Sequence, residues 1–350
     1  MNNQLQSLIE TIQKNCHISD ARHASDYTLC IYLLKMREFY RWEKAFKHDD
    51  ELDANDIGSW LSEREQLWDE LAASDYLSLP LAEQNYQNFD ADNINRELLK
   101  QNYIYSAGYG PKSKPVFYLA ELEQQILQDD YTIYISGREL ARELTAPVAM
   151  SQQNNIFIRR ESLNRMIWEK TVEWGWHQNK NAMFKAMNFY DFGNQPENSL
   201  DEMTNKELNS VILHEIGEIK TAKMLTNWQQ MIMDLPRSHA EIMARAIKDL
   251  LADTTSTLPV LINDHDEASL HFYFANFTHM RKELSPGLLT AYQNWNNDAD
   301  YLKLLGAVNR SAEHWFDIAR DILDLYEHHD EDYSVQIESL VRENKLGAAG

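Results

Sequence analysis

The sequence predicts a mainly α protein: two helical domains or lobes joined by a small α+β insert. Three observations carry this prediction. Apolar residues recur at helical spacing over most of the chain. Only two short runs, 131–135 and 155–159, combine β-branched and aromatic residues between turn formers. One stretch, SAGYGPKSKP at 106–115, concentrates Gly and Pro as a connecting loop does. The resulting expectation is an N-terminal helical domain at 1–110, the insert at 111–160 and a C-terminal helical domain at 161–345.

In chain order, a helical pattern runs to about residue 71 with a break at 15–19. Ser19 is placed to cap a long helix over 20–46, because a hydroxyl can accept an orphan backbone N–H. Within the insert, 138–144 is helical in pattern and stops before Pro147, between the two strands. From Glu161 the pattern is helical again, apart from a loop around 188–199.

Composition narrows the function classes. Apolar residues make up 43% of 350, which excludes wholesale disorder and allows a large core. A net charge of −22 disfavours general nucleic-acid binding and anionic membranes. Metal ions, basic ligands and basic patches on other proteins are the easier partners, and the sequence leaves open both a protein partner and a homo-oligomer without naming either. Cys16 and Cys30 are the only cysteines, too few for a disulfide framework and in keeping with a reducing cytoplasm. The N-terminal residues lack the basic and apolar regions of a signal peptide, and no run is apolar enough to span a bilayer.

The chemistry-bearing segment is ELNSVILHEIGEIKTAKML, 207–225. At 100° per residue, Glu218 lies about 40° and Glu215 about 100° from His214, on the arc that also holds Leu208, Val211 and Ile219. Gly217, Thr221 and Lys220 fall on the other, solvated side. Buried carboxylates are costly unless paired, protonated or bound to a cation. The four-residue spacing lets His214 and Glu218 share one ion, with Glu215 beside them as base or bridging ligand. HEIGE resembles the His-Glu-x-x-His helix of zinc metallopeptidases, with Glu218 in place of the last His. A carboxylate-rich set of this kind suits a divalent Zn, Mn or Fe ion. The alternative is an ionic cluster in which arginines from other helices neutralise both glutamates.

Two further helices offer completing ligands. One opens with Ser238 and Glu241 in a capping-box pattern and directs Asp253 at its apolar stripe, with Asp249 at the edge. The other, about 265–283, carries His279 within an aromatic face. Near the N-terminus, His23, Asp26, Arg37 and Arg41 form a polar column on a helix whose remaining surface is apolar. Such a helix is expected to be buried on most sides. The column reads either as a pocket for an anion or substrate, or as a source of arginines for Glu215 and Glu218.

CHISDARHASDYTLCIYLLKMREFYRWE together with HEIGE resembles an uncharacterised bacterial protein family. The resemblance implies no activity and transfers no catalytic residue. From the residues alone, the expectation is a metal-dependent, hydrolase-like enzyme with Glu215 catalytic and His214, Glu218, Asp249, Asp253 and His279 as candidate ligands. The alternative is a non-catalytic helical protein that binds or regulates a partner around a buried ionic network.

Overall fold

The computed structural model describes residues 3–347 apart from 111–112, 178–179, 237 and 329–332. It forms two compact units, one of residues 1–148 with 157–162 and one of 149–156 with 163–350.

The first unit corrects the expected fold class. It contains helices α1 (Asn3–His23), α2 (Leu29–Glu43), α3 (Ala54–Leu71) and α4 (Ala91–Leu98). The hairpin β1–β2 (Leu79–Leu81, Gln84–Tyr86) lies between α3 and α4. Beyond them come β3 (Tyr103–Tyr109), β4 (Pro115–Leu127), β5 (Thr132–Arg142) and most of β7 (Asn155–Arg159) of a five-stranded sheet, far larger than the insert expected from two short strands. With β6 (Ala149–Gln152) the order is β3-β4-β5-β7-β6. Of the Gly/Pro-rich stretch expected as a loop at 106–115, residues 106–109 are paired in β3 and Pro115 opens β4, which leaves 110–114 as the connection, with Pro111 and Lys112 outside the described residues. Residues 138–144, rich in Glu, Leu, Ala and Arg, favour helix by local propensity. Pairing overrides it: Ala141 faces Leu119 and Glu139 faces Ala120 across the β4–β5 ladder, which shifts register three times between Leu119 and Gln124.

Helix α1 is unbroken through 15–19, and the chain turns instead at Ala24–Asp26. The polar residues that suggested a break are buried and bonded sideways. Asn15 exchanges two hydrogen bonds with Leu77, and the Ser19 hydroxyl donates to the Pro115 carbonyl. Asp20 takes Lys114 Nζ at 2.7 Å and the Leu144 amide at 2.9 Å. Apolar residues of α1 pack with Tyr105, Phe117 and Leu119 of the sheet, while Met36, Phe39 and Tyr40 of α2 cluster with Trp60 and Trp68 of α3. The opposite face of α2 is uncovered, with Leu29 71% exposed, so the expected burial on most sides does not hold. Charge is also buried in the sheet. Arg159 bridges Glu139 at 2.9 Å and Glu143 at 3.0 Å, with all three side chains at 1% exposure or less.

The second unit is helical apart from β6 and the first residues of β7. It holds most of α5 (Arg160–His177), then α6 (Ala182–Met187), α7 (Pro196–Met224), α8 (Trp228–Asp234) and α9 (His239–Ala252). A π turn over Asp253–Thr257 leads into α10 (Leu258–Asn263). After α11 (Glu267–Ala275) and α12 (His279–Leu284) come α13 (Pro286–Asp298), α14 (Tyr301–Glu327) and α15 (Tyr333–Glu343). The single helix expected over 265–283 is thus two, separated at Asn276–Thr278. Asp266 and Asp300 accept backbone N–H groups at the starts of α11 and α14. Ser238 stands at the N-cap of α9 without a capping bond, and Glu241 pairs with Arg245 instead. The core centres on α9 and α14, where Trp315 is fully buried and donates to Ser285. No described helix is long and apolar enough to cross a membrane.

Arg159→Met leaves Glu139 and Glu143 buried without their main counter-charge. Loss of one partner of such a group costs about 3–5 kcal/mol, to be read as a lower midpoint in urea denaturation. An unchanged midpoint would show that the ion pairs contribute nothing to stability.

Candidate functional site

The site is built where α7 meets α9. Gly217 is buried, not solvated as its helical angle suggested, and a Cβ there would stand 2.4 Å from the Ala252 carbonyl oxygen. Absence of a side chain lets the two helices approach to backbone contact. Thr221, one turn further on, is also buried. Helix α7 is therefore packed on more than the one stripe expected from its sequence.

This close approach sets His214 and Glu218 of α7 against Lys248, Asp249 and Asp253. His214 Nδ1 donates to Asp253 Oδ1 at 2.7 Å, leaving Nε2 directed to Glu218 Oε1 at 3.8 Å. Glu218 Oε2 accepts from Lys248 Nζ at 2.7 Å and from the Ser151 hydroxyl of β6 at 3.0 Å. Asp253, buried at the start of the π turn, takes Tyr273 at 2.9 Å and Arg281 at 2.8 Å on its second oxygen. Asp249 stands beside the histidine. His214, Glu218 and Asp249 each present a ligand atom, all within 4.8 Å of one another. π turns inside α-helices are frequent at functional sites.

The charges are strongly coupled. Burial works against a charged His214, but Asp253 and Glu218 outweigh it and push its pKa up to about 10. Burial raises Glu215, reinforced by the neighbouring Glu218 carboxylate. Its Oε2 is buried without a hydrogen-bond partner. Burial also raises Asp249. Glu218 and Asp253 resist the same pressure: Lys248 and His214 hold the first below its usual value, and His214 and Arg281 the second.

Of the expected ligands, the structure gathers His214, Glu218 and Asp249 into one cluster and sets Glu215 next to it. Asp253 orients the histidine from behind. His279 is exposed at the start of α12, outside the cluster, in a left-handed conformation with φ 51°. The N-terminal column is dispersed. His23 Nδ1 bonds the Ser19 carbonyl, Asp26 is exposed in the turn after α1, and Arg37 is exposed with Glu38 at 4.0 Å. Arg41 is buried and binds the Lys47 and Asp50 carbonyls, so its guanidinium is occupied by the turn after α2. Sequence reasoning missed Lys248, Arg281, Tyr273 and Ser151. Lys248 adjoins Asp249 in the sequence, but nothing in the chain places Ser151 or Arg281 beside α7.

Glu207 is a further buried carboxylate, two turns before His214 on the same helix. It accepts from Ser210 at 2.8 Å and Ser269 at 2.9 Å, with no described basic partner within ion-pair distance. Burial pushes its pKa up to about 7.

The fold and this cluster define a two-unit, predominantly helical protein with a histidine–carboxylate centre between two helices. The chain belongs to the DUF6866 family of unknown function. Its N-terminal domain matches residues 7–159 and its C-terminal domain residues 164–344, which accords with the division into two units. No curated protein and no solved structure matches the chain.

Because Glu207 has a higher pKa folded than its ordinary 4.5, the stability it contributes is full below that value. It is lost as pH rises towards and through about 7. Glu207→Gln keeps the two serine contacts without the charge. The variant should melt higher than the parent at pH 8, with a gain on the order of 1–3 kcal/mol, and should match it near pH 4. A variant less stable than the parent at pH 8 would contradict the raised value.

Proposed function

We propose that the α7–α9 cluster is a divalent-cation site and that the protein is a metal-dependent enzyme of hydrolytic type. The observation that carries this reading is the set His214, Glu218 and Asp249, with His214 held from behind by Asp253. A ligating histidine commonly donates its other ring N–H to a carboxylate, which fixes the tautomer and leaves a lone pair for the ion. Ligands on one ion with bonds of about 2.1 Å stand no more than about 4.2 Å apart, so a small closure of the trio completes the set. Two carboxylates with one imidazole suit Zn, Mn or Fe.

Charge supports the same reading. With His214 neutral, as a ligand must be, the described bases that pair with the set Glu215, Glu218, Asp249 and Asp253 are Lys248, on Glu218, and Arg281, on Asp253. Four negative charges against two positive leave the charge of one divalent ion. The ion would supply a Lewis acid and make water more acidic. Glu215, buried beside the trio with an unpartnered oxygen, is placed to take the proton. The reaction occurs in the same compartment that the scarcity of cysteine favours, a reducing cytoplasm.

One observation favours a different reading. Lys248 and Ser151 already satisfy Glu218 Oε2, so the cluster can be a closed ionic network that fixes the packing of α7 on α9. A non-catalytic protein that binds a partner is then the better description.

Metal analysis separates the two. Chelator-stripped protein should take up one equivalent of Zn, Mn or Fe by titration calorimetry and elemental mass spectrometry. His214→Ala and Glu218→Ala should each weaken uptake by at least about tenfold. Glu215→Gln should bind the ion but lose turnover in screens with ester, phosphomonoester and peptide substrates. No uptake by folded parent protein would sink the metal reading and leave the ionic network.

A further inference from the structure

The side chains of the α7–α9 cluster differ in how many ligand atoms they have left to offer. His214 donates its Nδ1–H to Asp253 at 2.7 Å, so Nε2 is the one ring atom open to an ion. Each carboxylate oxygen has about two lone-pair sites. On Glu218 Oε2 both are filled, by Lys248 Nζ at 2.7 Å and by the Ser151 hydroxyl at 3.0 Å. Glu218 Oε1 is left to face His214 Nε2 at 3.8 Å. Among the described residues no hydrogen bond or ion pair engages the Asp249 carboxylate, so either or both of its oxygens can turn to the same point.

The two donors on Oε2 bear on which ion fits. Calcium takes about six to eight oxygen ligands and often binds a carboxylate through both oxygens. Glu218 can give it only one. Magnesium demands a near-octahedral set of oxygens and parts with its water reluctantly. The imidazole nitrogen suits a transition ion better than either. Zinc is complete with about four ligands, and its catalytic sites keep one of those positions for water. His214 and Glu218 with one ligand atom each, completed by Asp249, match that smaller demand. Lys248 and Ser151 come from different elements, α9 and β6, so Oε2 is held from two directions while Oε1 stays free. Lys248 also precedes Asp249, so one turn of α9 brings both the third ligand and the brace on the second.

We propose that Lys248 and Ser151 determine the ion specificity of this centre. By occupying Glu218 Oε2 they limit Glu218 to a single ligand oxygen, which admits a zinc-type ion with a position open to water and excludes calcium and magnesium. This inference rests on the cation reading of the cluster. Neither residue touches the ion. Both act through Glu218, as Asp253 acts through His214, and are positioning residues in that sense. Lys248 also places a like charge near the ion, which weakens every divalent ion to the same degree. The effect of the brace is therefore on the ratio between ions and not on the strength of any one.

Calorimetric titration of the chelator-stripped full chain with zinc and with calcium gives the ratio of the two dissociation constants. The parent should strongly prefer zinc. Lys248→Met/Ser151→Ala frees Oε2, and the preference should fall at least about tenfold. Both ions are divalent, so the repulsion lost with Lys248 drops out of the ratio. Lys248→Arg keeps a charged donor at Oε2 and should keep the parent ratio. Cobalt(II) in place of zinc gives a second readout. The strong visible absorption of a low-coordinate ion in the parent should weaken in the double variant as a further oxygen binds. Should the double variant fail to fold, Ser151→Ala alone vacates one lone-pair site without a change of charge, and both readouts should shift the same way. An unchanged ratio, or one lowered as far by Lys248→Arg, overturns the proposal and leaves the cation site standing. So does a parent that binds calcium as tightly as zinc. A folded parent that binds neither ion removes the site itself, and the proposal with it.

Discussion

Helix α7 can lie on the Ala252 carbonyl only because residue 217 has no side chain, and the centre of the second unit depends on that contact. A conventional helix separation of 8–10 Å is set by the side chains between the axes. Here the separating side chain is missing. The closer approach brings His214 and Glu218 within hydrogen-bonding distance of Asp253 and Lys248. The π turn begins one residue after the contact, so Asp253 leaves the α-helical ladder where it is needed by the histidine. Tyr273 and Arg281 then hold the other carboxylate oxygen. Backbone contact, the widened turn and the polar cluster form one construction.

The two units treat buried charge differently. In the first, each buried acid has a committed base. Asp20 has Lys114, and Glu139 and Glu143 share Arg159, with Arg142 3.7 Å from Glu139. Removal of one partner from such a network leaves the other charge buried and uncompensated. An unpartnered oxygen occurs in both units, on Glu143 and on Glu215, but in the second Glu215 has no ion-pair partner among the described residues and Glu207 is met only by hydroxyls. Burial raises the pKa of Glu215 and Glu207, so their protonation can still change near neutral pH.

Part of this was legible in the sequence. The placing of His214, Glu215 and Glu218 on an apolar arc comes from spacing alone, and so does that of Asp249 and Asp253 on a second helix. Their meeting was an inference from cost: buried acids must find a partner. What could not be read is contact made by distant segments. Ser151 reaches Glu218 across 67 residues and Arg281 reaches Asp253 across 28. The sheet was hidden for a related reason, since GRELAREL carries helix formers and becomes a strand only when β4 lies beside it. The polar run at 15–19 looked like a helix break because its partners, Leu77 and Pro115, lie far along the chain. On α2 the burial rule failed in the other direction, since one helix face can be apolar without being covered by its own chain.

The π turn at Asp253–Thr257 also bears on how α9 is joined to α10. An α-helix advances about 100° with each residue, so Leu258, Leu261 and Ile262 lie about 20°, 40° and 60° from Ile247 on one projection. All three are at 1% exposure or less. The apolar stripe of α9 therefore runs on into α10, although the hydrogen-bond ladder between them is widened. The wider turn alters the backbone at Asp253 and leaves the buried face unbroken.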